Sequence, residues 1–207
     1  MKLQKVAKLC KKTGVMRIFY GANDWIWYIS DGVAAYPVHG VPVMDKDSLF
    51  TMFDYDQKTR EGILYTEAQL NSGVIDFADK TDGEVEAKLG TYRNMQICHG
   101  GYILQPLGYK DRLLLFDVTK LAPLEQSQYR ALYVRVAASG VPYVVVKDGE
   151  LLVAAILPML EVPEEFTTAL EDLVRDAKRE AELRAMEGHD LQVRLIFDPE
   201  TGEVEEA

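Results

Sequence analysis

The apolar runs WIWYIS (25–30) and VAAYPV (33–38) are separated by Asp31-Gly32 alone. Asp-Gly is the two-residue connection that favours a type I′ turn, so this stretch commits the chain to antiparallel pairing. VMRIFY (15–20), joined through Gly21-Ala22-Asn23-Asp24, supplies a further strand. The same shape returns as YVVVKDGELLVAAI (143–156): a shift of 117 residues lays Asp31-Gly32 on Asp148-Gly149 and Leu49 on Phe166 without a gap. The order helix, strand, strand, Asp-Gly, strand, helix then matches. Identity beyond the turn is little more than Thr51 over Thr168, so residue identity leaves open whether a module was duplicated or two hairpins use one turn chemistry. The expected fold is α+β, with antiparallel sheets, flanking helices and two similar halves: 1–93, and 94–207 with a long acidic helix.

Leu3, Val6, Ala7 and Cys10 follow the i, i+3, i+4, i+7 spacing of an amphipathic helix over 2–13, with Gly14 placed as its C-cap. With Pro37 and Pro42, the strand at 33–38 is expected to end at, or lie along, a sheet edge. Asp45 or Asp47 can cap a short helix through Phe53. Residues 54–93 are the least legible, with strand-like pieces GILYT and GVIDFA. Beyond them MQICHG, GYILQPL and RLLLFDV read as strands, 121–128 as a short helix, and YRALYVRV, PYVVVK and ELLVAAIL as further strands. Pro163, with Glu164 and Glu165 behind it, opens a helix that Gly188 ends; its outer face carries Glu171 and Arg175 at i, i+4. LQVRLIF (191–197) alternates as a strand.

Of the 207 residues, 48% are apolar, enough for a conventional core, and no stretch reaches the eighteen apolar residues of a membrane span. With no secretory apolar stretch at the N-terminus, the expected location is cytoplasmic and no membrane partner is expected. Cys10 and Cys98 are too far apart for a CxxC arrangement and are expected to be buried thiols. His39, His99 and His189 show no metal-ligand spacing, so neither a metal nor a cofactor is expected. The net charge of −10 is uneven: residues 161–207 carry fifteen acids and five bases, whereas 1–160 balance. No acid precedes Asp24, so an acidic pI does not exclude a local site for polyanions.

Lys2, Lys5, Lys8, Lys11 and Lys12 on the first helix form the strongest local signal, a cationic face able to lie along the phosphates of duplex DNA. A solvated lysine face is the plainer account of the same residues. Trp25 and Trp27 share one strand face and are candidates for an oligomer interface, since a strand apolar on both sides needs cover from a helix and from another chain. Cys98, His99 and Asp117 are the candidates for a scattered catalytic site. Adjacent strand residues point to opposite faces, however, so Cys98 facing the core and His99 facing out is favoured.

Two α+β units with outer antiparallel strands and helices bearing local positive charge resemble the DNA sliding-clamp family, through residues 2–57 and 119–174 in element order and charge. The resemblance implies helices facing duplex DNA, sheets forming an outer wall, and closure by repetition across two or three chains. The second helical segment, around 120–130, has Lys120 and Arg130 as its cations. The expected activity is non-catalytic binding.

Overall fold

The computed structural model describes residues 1–21, 26–70, 75–87, 96–109, 112–124, 130–159, 164–186, 195–197 and 204–206. In chain order the elements are α1 (Leu3–Thr13), β1 (Val15–Tyr20), β2 (Trp27–Ser30), β3 (Ala34–Val38), α2 (Lys46–Met52), α3 (Gln57–Gly62), β4 (Leu64–Gln69) and β5 (Val85–Glu86). There follow β6 (Ile97–His99), β7 (Tyr102–Tyr109), β8 (Arg112–Asp117) and a 3-10 helix (Val118–Leu124). Then come β9 (Arg130–Val136), β10 (Pro142–Asp148), β11 (Leu151–Ile156), α4 (Glu164–Met186), β12 (Leu195–Phe197) and β13 (Val204–Glu206). The fold is α+β with mostly antiparallel sheets. Trp25, Pro163 and Gly188 lie outside the described residues.

The chain forms two compact units, Met1–Glu86 with Lys120–Leu157, and Ala87–Thr119 with Pro158–Ala207. Each is discontinuous, so neither coincides with 1–93 or 94–207. The reason is a pairing between the two meanders: Ala35 lies opposite Ala155 and Ala34 opposite Ile156, joining β3 to β11. The first unit is thus one eight-stranded sheet, ordered β4-β1-β2-β3-β11-β10-β9-β5. The shift of 117 residues lays β1 on β9, β2 on β10 and β3 on β11. The likeness is one of element order, because the two turns differ.

Asp31 is not a type I′ residue. Among the described residues Asp54 is the sole non-glycine with positive φ, so the loop relies on Gly32 at φ 91°. Asp31 instead folds its carboxylate back: Oδ1 accepts from the backbone N–H of Val33 (3.0 Å) and Ala34 (2.8 Å), and Oδ2 from Lys120 Nζ (2.7 Å). Both side chains are buried, at 0% and 2% exposure. Asp148, by contrast, ends β10, and the connection is Gly149-Glu150 with Gly149 at φ 61°. Pro37 sits in a strand that is central by order, but β11 pairs only with Ala34 and Ala35, so the ladder is not asked for a donor at Pro37 on that side.

Helices cover one face of this sheet. Val6, Ala7, Leu9 and Cys10 of α1 are buried, Gly14 caps it at φ 69° with its N–H on Cys10 O, and Tyr55 donates its hydroxyl to Ala7 O. Phe50 of α2 meets Tyr65 of β4 edge-on at 5.9 Å. α3, in the illegible stretch, is capped by Asp56 accepting from Thr59 N. Residues 75–84, which begin inside GVIDFA, cross the other face as a strap leading to β5, with Phe77 against Tyr28 at 4.2 Å. The strap is tied by charge. Arg135, 2% exposed, donates to Glu84 Oε2 and to the carbonyls of Asp76 and Asp79, while Lys147 holds Glu84 Oε1. Burial opposes the charge on Glu84, but the hydrogen bonds from Lys147 and Arg135 outweigh it and hold its carboxyl below the usual range.

The second unit holds the three-stranded sheet β6-β7-β8, the two-stranded β12-β13 and α4. Ile97, Leu104 and Leu115 form its core, with Met159 and Leu173 packed against them. On the exposed side of α4, Arg175 pairs with Asp172 at 2.6 Å.

Lys120→Met leaves the Asp31 carboxylate buried and unpaired, so it is expected to destabilise the fold by about 3–5 kcal/mol in urea unfolding. Glu84→Gln tests the strap. A depressed folded-state pKa contributes stability above the unfolded carboxylate pKa and loses it as pH falls through the folded value, so the wild type should lose part of its stability in acid. In Glu84→Gln that part of the pH dependence should be missing from unfolding curves.

Candidate nucleic-acid interface

α1 projects Lys5, Lys8, Lys11 and Lys12 within an arc of about 120°, taking 3.6 residues per turn, on the side away from Val6, Ala7, Leu9 and Cys10. Lys8, Lys11 and Lys12 are exposed and Lys5 is half-buried. Lys2 is off this face: it is the N-cap, with extended backbone and its N–H on Pro123 O at 2.9 Å. Four of the five expected lysines therefore share one surface. Among the described residues, Lys2, Lys8, Lys11 and Lys12 are in no ion pair. The Asp56 carboxyl is held below its usual range by the Thr59 hydrogen bonds and, to a lesser degree, by Lys11 and Lys58.

Sequence reasoning missed that α1 is wired to a buried polar core. Cys10 Sγ contacts Ser30 O at 3.8 Å, and burial, with the Asp31 charge behind it, pushes the thiol up to about 12. Lys120, a cation of the second helical segment, is consumed by Asp31 and offers no charge to the surface. Nothing in the residue pattern distinguishes Lys120 from the α1 lysines, because burial is a tertiary property. Trp27 is likewise internal, 1% exposed with its indole N–H on Val41 O at 2.9 Å, so it covers its own chain's core.

Cys98 and His99 stand the other way round from expectation. Cys98 is exposed, whereas His99 lies on the face of β6 that carries Ile97. Pairing puts Ile97, Leu104 and Asp117 on one side and Cys98 and Ile103 on the other, so Cys98 does not converge with His99 and Asp117. Asp117 Oδ1 instead accepts from Thr119 N (3.0 Å) and Thr119 Oγ1 (2.7 Å), turning the chain into the 3-10 helix. Among the described residues no three His, Cys, Asp or Glu side chains lie together where a metal ion could be held. No described helix is long and apolar enough to cross a membrane. A cavity of about 640 Å³ opens beside Tyr20, Ile26, Val41, Pro42, Val43 and Gln69. Within this lining, burial and then Glu67 raise the Tyr20 phenol. No family model, curated protein or solved structure matches this chain.

In the native protein a thiol reagent should titrate Cys98 alone, with Cys10 reacting only on unfolding. Modification of both at equal rates in native buffer would contradict the burial of Cys10.

Proposed function

We propose that this chain is a non-catalytic, DNA-associated binding protein, a clamp-like accessory factor acting in the cytoplasm, that lays the lysine face of α1 along duplex phosphates. The observation that carries the reading is the shared arc of Lys5, Lys8, Lys11 and Lys12, with no acid on the helix. The clamp-like part draws support from two meanders side by side, one preceded by α1 and the other by the 3-10 helix on the same side of the sheet. In the second half Lys120 is buried on Asp31, so the reading assigns phosphate contact to α1 and not to both segments.

Four phosphate contacts on B-form DNA correspond to a log K against log salt slope of about −3.6. Fluorescence anisotropy with a labelled duplex should show this slope, and each of Lys8→Gln, Lys11→Gln and Lys12→Gln should reduce its magnitude by about 1. Binding that ignores salt, or that survives Lys5, Lys8, Lys11 and Lys12 all changed to Glu, would overturn the reading.

A further inference from the structure

β4 is an edge strand of the eight-stranded sheet, and no described strand covers it. Among the described residues nothing pairs with its outer side, and Leu64, Thr66, Glu67, Ala68 and Gln69 are exposed, Leu64 at 59%. Free edges in stable proteins are blunted by proline, charged side chains, bulges or shortness; of these the six residues LYTEAQ carry one charge, Glu67. The opposite edge, β5, is two residues long.

The backbone fixes what can pair there. β4 runs parallel to β1, with Leu64 N–H on Gly14 O and Leu70 N–H on Tyr20 O, both 2.8 Å. With a period of two, the even-numbered residues face β1, and the N–H and C=O groups of Tyr65 and Glu67 face outward. A second, antiparallel β4 satisfies these groups if the dyad passes through Thr66: Tyr65 then faces Glu67 of the second copy twice over, giving four hydrogen bonds. Thr66 meets Thr66, and the exposed Leu64 meets Ala68. Centring on Glu67 would place two carboxylates opposite each other, which is destabilising. In the Thr66 register the two Glu67 are diagonal rather than opposite, each already accepting from its own Tyr65 hydroxyl at 2.6 Å, and the Tyr65 ring lies 5.8 Å from Lys46 Nζ. Charge therefore disfavours the Glu67-centred register.

We infer that the outer edge of β4 is a homodimer interface, pairing with β4 of a second copy through a dyad at Thr66. The axis is perpendicular to the sheet, so both α1 helices lie on the same side of a joined sixteen-stranded sheet. α1 packs on β1 and β2, which sets the two lysine faces roughly 20 Å apart at four strand spacings of ~4.8 Å. The inference does not depend on DNA binding: a monomer that binds duplex would leave the lysine reading standing and end this one.

Sedimentation of the full chain across a concentration series should show a monomer–dimer equilibrium. Leu64→Lys should raise its dissociation constant at least about tenfold, with an unchanged far-ultraviolet spectrum, because Leu64 is already in solvent. In a Cys98→Ser background, Thr66→Cys should give a disulfide-linked dimer under mild oxidation, since non-hydrogen-bonded partners bring Cα atoms to about 4.5 Å. Glu67→Cys should cross-link far less. A monomer at every concentration, or a dimer indifferent to Leu64→Lys, overturns the interface; cross-linking through Glu67→Cys in preference to Thr66→Cys overturns the register.

Discussion

Everything in the larger unit hangs on the seam between β3 and β11. The ladder there is two residue pairs long, with Leu157 N–H adding a bond to Val33 O. Three of the four paired residues are alanines, so side-chain bulk discriminates little between registers. The Asp31–Lys120 pair supplies what packing lacks. It binds the β2–β3 loop to the segment that leads into β9, and Tyr36 of β3 adds a hydroxyl bond to Lys120 O at 2.7 Å. A buried pair contributes little net stability, because desolvation offsets attraction, but a misaligned alternative leaves two buried charges unpaired. That penalty is steep and specific, which suits a seam otherwise too short to define itself.

The local signals in the sequence were read well wherever one segment settles its own state. Apolar spacing in α1, Gly14 as its cap and the meander strands are of this kind. Pairing over distance was not legible. The strap at 75–84 begins with strand-like composition, yet Arg135 and Lys147 draw it across the sheet, and no local pattern announces partners some fifty or sixty residues away. α3 was hidden for another reason: six residues, QKTREG, carry no apolar stripe, and their helicity rests on the Asp56 cap. Cys98 and His99 were assigned to the wrong faces because a three-residue strand ending at Gly100-Gly101 has too few positions to establish which parity is internal.

Charge shows the same division between counting and placement. Residues 1–160 are formally neutral, which hides a segregation made by folding. Lys120, Arg135 and Lys147 are all inside, Lys120 on Asp31 and the other two sharing Glu84, both carboxylates distant in sequence. The Asp31–Lys120 pair cancels in the field outside the protein, whereas Lys8, Lys11 and Lys12 of α1 remain at the surface. A neutral sum is thus compatible with a positive helix face, and the potential near α1 is set by exposed groups rather than by composition.

The position of those lysines runs against the preference of the helix itself. The N-terminal end of a helix favours acids, yet α1 begins with Lys2 at the N-cap, no side-chain cap, no acid in the first turn and Lys5 within it. Each misplaced cation there costs about 0.3–1 kcal/mol at low salt. α1 forms regardless because it buries Val6, Ala7, Leu9 and Cys10 and accepts the Tyr55 hydroxyl bond at Ala7 O. Lys11 and Lys12, in the last turn, suit the dipole and have a structural reason to be where they are. Lys5, in the first turn, draws no such support from the dipole. Replacing it with Glu relieves the dipole rather than opposing it, so weakened binding in such a variant would reflect lost contact and not a melted helix.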